Sequence, residues 1–254
     1  MDLKLISQLR DKTGAGLGDC KAALEEAGGD LDKALELMRK KGEVKAAKKS
    51  DRTTKEGIVS ISEAGNKIAV TALACETDFV SRGEDFQKAA AEMSEKLLNS
   101  SEEEFKSWAD AAIKNLVLKI GENIQLTASG VFDGAVVGRY IHSNKKVAGV
   151  AVLSGGTQET ANDIAMQIAA MSPKWLNPEA VDVETLAKEK EIYREQLKGE
   201  GKPEAIFDKI IEGKLAKFYE ENCLINQVFI KDDSQKIKNI LGDNQITNWA
   251  KFQL

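Results

Sequence analysis

Apolar residues recur at helical spacing along the first forty positions. Leu5, Ile6 and Leu9 share one face of a helix expected from Met1 to Arg10. Thr13-Gly14-Ala15-Gly16-Leu17-Gly18 interrupts it, because glycine readily takes the left-handed backbone that ends a helix. Asp19 is placed to cap a second helix, in which Cys20, Ala23, Leu24 and Ala27 fall at i, i+3, i+4 and i+7. Gly28-Gly29 ends that helix, and Asp30 is placed to cap a third, with Leu31, Ala34, Leu35 and Met38 at the same spacing. Lys40 and Lys41 suit its last turn, where cations complement the helix dipole, and Gly42 is expected to stop it. Residues 1–50 therefore read as a compact three-helix module with short loops and little contact with the rest. From 43 to 56 the period is lost. Between Arg39 and Lys55 stand eight Lys/Arg against two acids, which reads mostly as a solvated linker, with 51–56 as its basic end.

From Gly57 the period changes to two. Ile58 to Ser62 and Ile68 to Cys75 flank Ala64-Gly65-Asn66, the pattern of a β-hairpin. A helix is expected from Glu84 to Leu98, with Phe86, Ala90, Met93 and Leu97 on one face. Ser101-Glu102-Glu103-Glu104 is a capping box opening another, which carries Phe105, Ala109, Ala112, Leu116 and Ile120 and closes at Gly121. Ile124, Leu126 and Ala128 alternate as a strand. The pattern then recurs: strands Val136 to His142 and Val147 to Leu153, then a helix from Thr157 to Met171. Helical runs from Val183 to Lys198 and Glu204 to Glu221 follow, joined by Gly199-Glu200-Gly201-Lys202-Pro203, and a short link implies antiparallel neighbours. A short helix near Ser234 to Leu241 and a strand from Ile246 to Leu254 complete the pattern. The expected fold is α+β. Two related α+β core halves with antiparallel sheets occupy 57–135 and 136–178, an inserted helical hairpin occupies 179–222, and 223–254 returns to the second half.

The chain has 254 residues, 30% of them charged, with net charge -5. That balance suits an intracellular binding protein and argues against a dedicated nucleic-acid binder, which shows a basic excess. The N-terminus lacks the basic-then-apolar pattern of a signal peptide, and no run of 18 or more apolar residues suggests a membrane span. Cys20, Cys75 and Cys223 are an odd, widely spaced set that suggests neither a disulfide framework nor a zinc site.

Few constellations suggest covalent chemistry. Gly14-Ala15-Gly16-Leu17-Gly18 follows a helix rather than a strand, and Asp19 stands where a dinucleotide loop needs its third glycine. No phosphate-loop sequence occurs, so no nucleotide, cofactor or metal is expected on the chain itself. His142 is the single histidine and reads as a surface or interface residue. The basic stretch from Lys45 to Lys55 offers an alternative role at RNA or the ribosome, but it lacks the interleaved aromatics that stack on bases. Thr77-Asp78-Phe79-Val80 lies between a strand end and a helix start, where Thr or Asp orders a turn. Pattern alone favours a core position for Phe79; the alternative is an exposed aromatic anchor, a favoured hot spot.

Thr13-Gly14-Ala15-Gly16-Leu17-Gly18-Asp19-Cys20-Lys21-Ala22-Ala23-Leu24 closely resembles the N-terminal signature of the elongation factor Ts family. Thr77-Asp78-Phe79-Val80 resembles that family's central motif, and Lys119-Ile120-Gly121-Glu122-Asn123-Ile124 a third segment, all in family order. The resemblance spans essentially the whole chain. It implies a cytoplasmic guanine-nucleotide exchange factor for elongation factor Tu, not an enzyme, whose N-terminal module resembles a ubiquitin-associated fold and docks on the partner's GTP-binding domain. Asp78 and Phe79 would enter that domain near its magnesium and phosphate site, within a partner-binding stretch completed by Thr77 and Val80. Lys21, Ile120, Gly121 and His142 fall at contact positions, and the second core half would touch another partner domain. The resemblance also reverses the expectation for Phe79, from buried to exposed. Two departures stand out: Val228 replaces the proline common in the family, and the chain stops at Leu254 where longer relatives carry a further tail, whose contacts are then expected to be missing.

Overall fold

The computed structural model describes residues 2–254; Met1, where the pattern begins the first helix, lies outside the described residues. The chain forms two units. One runs to Phe132 and takes in His142–Val147 and Phe252–Leu254; the other holds Asp133–Ile141 and Ala148–Lys251.

The first unit opens with α1 (Leu3–Thr13), α2 (Leu17–Glu26) and α3 (Leu31–Lys49). Ile6, Leu9, Cys20, Ala23, Leu24, Ala34 and Met38 are buried together. Asp30 caps α3 by accepting from the backbone N–H groups of Asp32 and Lys33 at 3.0 and 3.1 Å. Three expectations need correction. Asp19 is not a cap: α2 begins at Leu17 after Gly16, and Asp19 in the first turn pairs with Lys45 at 2.8 Å. Gly42 does not stop α3, which continues to Lys49 through most of the supposed linker. Gly42 is buried, and a Cβ there would stand 3.3 Å from the Lys114 carbonyl oxygen, so the glycine lets two helices approach closely. Nor do the three helices stand apart: Leu118 of a later helix is buried in their cluster.

Next come β1 (Glu56–Ala64), β2 (Lys67–Cys75), α4 (Asp78–Arg82), α5 (Glu84–Leu98), α6 (Glu102–Ile120) and β3 (Gln125–Asp133). β1 and β2 pair antiparallel from Glu56↔Cys75 to Ala64↔Lys67, and the sheet order is β1-β2-β3. The period-2 faces of this sheet and one face each of α5 and α6 enclose Leu73, Phe86, Met93, Phe105, Leu116 and Val117. The Ser101–Glu104 capping box is formed. α4 was not legible as a helix; five residues are too few to display a 3.6-residue period.

The second unit carries β4 (Val136–Ile141), all but the start of β5 (Val147–Leu153), α7 (Gln158–Met171), α8 (Val183–Gly199), α9 (Phe207–Asn222), β6 (Val228–Phe229), β7 (Asp232–Lys236), α10 (Ile237–Leu241) and all but the end of β8 (Ile246–Gln253). β4 and β5 pair antiparallel in a sheet of order β4-β5-β8, with α7 packed on β4. Gly138 and Gly149 permit this packing, since a Cβ at either would stand 2.0 Å from α7 backbone atoms. α8 and α9 are antiparallel. Leu197, near the end of α8, packs on Phe207 and Ile211 at the start of α9, while Leu186 joins Phe218 at the other end. The expected helix at Ser234 begins only at Ile237; Ser234 to Lys236 belong to β7, which pairs with β6, a strand the pattern does not show. Two residues of β6 give too little alternation to read. Val228 opens β6, where its carbonyl accepts from the buried Gln167 side chain at 3.0 Å.

A candidate partner-binding site around Phe79

β2 ends at Cys75, and the chain turns at Glu76 and Thr77 before α4. Thr77 is extended (φ -125°, ψ 155°), and its hydroxyl accepts from the Val80 N–H at 3.4 Å, capping α4. Ser81 is buried and donates its hydroxyl to the Asp78 carbonyl at 3.1 Å. Val80 packs partly buried against the first unit's core. With Val80 and Ser81 turned inward, the preceding residue faces out: Phe79 is 85% exposed. No other large hydrophobic among the described residues is more exposed. Asp78 forms an ion pair with Arg82 one turn on, at 3.1 Å.

This loop is held from the α6–β3 connection. Gly121 ends α6 in the left-handed region at φ 87°, with its N–H donating to the Val117 carbonyl at 2.9 Å. Ile120 before it packs partly buried on the core. After it comes Glu122, whose carboxylate receives the N–H groups of Glu76 and Thr77 at 3.0 and 3.1 Å and the Thr77 hydroxyl at 2.6 Å. In return the Asn123 N–H donates to Glu76 Oε1 at 2.6 Å. Asn123 is buried and donates its amide to the Ser50 and Arg52 carbonyls at 3.3 and 2.7 Å. Lys49 Nζ donates to the Gly121 carbonyl.

Below the loop, the Cys75 thiol donates to the Thr77 carbonyl at 3.3 Å. Burial, then the negative charges of Glu122 and Glu56, push this thiol up to about 12, so it stays protonated and is no nucleophile at neutral pH. Beside the loop an open cleft of about 530 Å³ is lined by Glu56, Ile58, Asp78, Arg82, Ser143 and Lys146, among others. Lys146 pairs with Glu56 at 2.6 Å, and Lys145 accepts from the Val59 N–H at 2.7 Å, fixing the 142–147 turn in this unit. His142 opens that turn, exposed, its N–H donating to the Val147 carbonyl at 2.9 Å.

Thr77, Asp78, Phe79 and Val80 thus share one short turn and helix, Ile120 and Gly121 adjoin it through Glu122, and His142 begins the turn that lines the neighbouring cleft. Lys21 is elsewhere, exposed on α2 and 3.9 Å from Glu25. Sequence reasoning passed over Glu122, although it stands inside a quoted motif; nothing in its local spacing signals a bond to residues more than forty positions away. Among the described residues, no group of three or more His, Cys, Asp or Glu side chains is placed to hold a metal ion. No helix among them is long and apolar enough to cross a membrane.

A family model described as Elongation factor TS matches residues 76–254. Relatives similar over nearly the whole length include elongation factor Ts of Hydrogenobaculum sp. strain Y04AAS1, 42% identical over 98% of this chain and 97% of the relative. The elongation factor Ts of Deinococcus radiodurans is 39% identical over 99% of both chains, and that of Flavobacterium psychrophilum 44% identical over 92% and 90%. The chain belongs to the elongation factor Ts family, translation elongation factors that act as nucleotide exchange factors for elongation factor Tu.

Proposed function

We propose that this chain releases GDP from elongation factor Tu by pressing Asp78 and Phe79 into the partner's GTP-binding domain near its magnesium and phosphate site. The observation that carries this reading is Phe79, an 85% exposed ring on a loop that is otherwise held by hydrogen bonds at both ends. A GTPase holds its nucleotide through phosphate-loop amides and a magnesium ion bridging phosphate oxygens. A ring wedged behind those groups weakens both holds. The coupling is reciprocal, so nucleotide weakens the complex by the same free energy and drives the factor off. Such a factor needs shape and contacts but no bond-making residue, and it works in the cytoplasm, where its partner is. Lys21, Ile120, Gly121 and His142 supply flanking contacts, and the N-terminal helices serve as a docking module.

The basic run is poorly suited to the rival role at RNA. Lys45 is paired with Asp19, Arg52 with Glu76 at 3.4 Å, and Lys49 is taken up by the Gly121 carbonyl.

The test compares wild type and Phe79→Ala in stimulated GDP release and in thermal unfolding on the same preparations. Truncating an interface hot spot costs about 2–4 kcal/mol, or roughly one and a half to three decades in affinity for nucleotide-free elongation factor Tu. The melting temperature should barely move. A large drop in melting temperature with normal exchange at low temperature would sink the wedge.

A further inference from the structure

We infer that Glu122 is a positioning residue for exchange: its carboxylate sets the direction in which the Phe79 loop presents its ring. The inference rests on the wedge reading above. Phe79, being 85% exposed, has little packing to orient it, so its direction is inherited from the backbone at Thr77. Glu122 is the side chain that takes up the donors of that backbone, while the Cys75 thiol donates to the Thr77 carbonyl at 3.3 Å. Two successive N–H groups, of Glu76 and Thr77, converge on Glu122 Oε2 at 3.0 and 3.1 Å. Successive residues of a strand face opposite ways, so the shared acceptor marks and holds the turn out of β2. Oε1 accepts from the Thr77 hydroxyl at 2.6 Å, leaving the lone pairs of Thr77 Oγ1 to receive the Val80 N–H and cap α4. Bonds to an ionised acceptor are roughly twice as strong as neutral ones. The link is reciprocal, since Glu76 accepts from the Asn123 N–H at 2.6 Å. Glu122 is partly buried and lies one residue beyond the α6 cap, in the α6–β3 connection of the same unit. Without the carboxylate, water can satisfy the freed donors, so the fold survives. The loop then samples other directions, and apparent affinity falls by the fraction of molecules still competent to bind.

The experiment uses the full chain with Glu122→Ala, Glu122→Gln, Phe79→Ala and the Glu122→Ala/Phe79→Ala pair. It measures affinity for nucleotide-free elongation factor Tu, GDP release, and amide hydrogen exchange resolved at Glu76 and Thr77. Glu122→Ala should weaken the complex by about tenfold. It should speed exchange at Glu76 and Thr77 while the β2 amides stay protected. Glu122→Gln should recover part of the affinity, leaving a loss of about threefold, because its carbonyl oxygen still receives both N–H groups but without the charge; that residual loss, with faster exchange at Thr77, carries the test if the alanine variant fails to fold. In the double variant the Glu122 change should cost almost nothing further. Wild-type affinity or unchanged exchange at Thr77 in both Glu122 variants overturns the proposal, as does a loss fully additive to Phe79→Ala or loss of protection throughout β2. A silent Phe79→Ala with fast exchange at Thr77 instead sinks the wedge reading, and with it the link from Glu122 to exchange.

Discussion

The side chain of Lys119 lies over Gly14, so that a Cβ on that glycine would stand 2.7 Å from the lysine Cδ. The same lysine reaches Asp85 at 2.6 Å, which ties the α1–α2 turn to α5. Gly14 is left-handed, at φ 64°. Gly14→Ala should therefore cost about 1–2 kcal/mol, chiefly for forcing an alanine into that region, since the lysine methylenes can shift. Gly18→Ala is the contrast. It sits in the first turn of α2 with open space around it, and should be neutral or stabilising by up to about 1 kcal/mol. Chemical denaturation of both variants checks the pair; equal losses would mean that backbone strain at Gly14 is not what sets the cost.

Asp78→Ala removes an exposed ion pair with Arg82. Such pairs are worth about 0–1 kcal/mol, so stability should fall by less than about 1 kcal/mol. Affinity for nucleotide-free elongation factor Tu should fall by more, about tenfold or beyond. Arg82→Ala breaks the same pair while keeping the carboxylate, and should leave exchange nearly intact. If surface plasmon resonance finds the two variants equally impaired, Asp78 acts through Arg82 and not through the partner.

The buried thiols give the fold an alkaline limit. Cys75 is pushed up to about 12 by burial and the charges of Glu122 and Glu56, and Cys223 to about 11 by burial and the charge of Glu179. In the unfolded chain both titrate near about 8.5. The folded state therefore keeps protons that the unfolded state releases, and stability is lost as pH rises from about 8.5 towards 11 and 12. Urea unfolding at pH 7 and pH 10 should show the decline, and Cys75→Ala should reduce it. At pH 8 a thiol reagent should label the native chain slowly and the denatured chain at once; rapid native labelling of Cys75 or Cys223 would contradict the burial argument.

Much of this was legible in the sequence because long elements advertise their period. The α5 bounds Glu84–Leu98 and the β5 bounds Val147–Leu153 match the pattern residue for residue. Gly42 misled because one local signal, glycine after a lysine-rich turn, has two physical causes: a helix end, or a close approach to another backbone. Only the Lys114 carbonyl on the facing helix distinguishes them. Phe79 was ambiguous for a similar reason. Its motif reads as a turn, and exposure depends on Val80 and Ser81 taking the inward positions, which five residues of α4 cannot announce. Glu122 was invisible because its partners are remote in sequence, and long-range hydrogen bonds leave no periodic trace.

The first unit is not a continuous stretch of chain: it is completed by the 142–147 turn and by Phe252–Leu254, whose last N–H donates to the Lys146 carbonyl at 3.1 Å. Leu254 also reaches the Gly57 backbone position, where an added Cβ would stand 2.9 Å from its Cδ1. On the ribosome this imposes an order of events. The roughly one hundred residues between Val147 and Phe252 take about 5–20 s to add at the usual rate of synthesis. Throughout that interval the sheet that leads into the Phe79 loop waits for its closing contacts, so the N-terminal unit, although translated first, is completed only when the last residues are added.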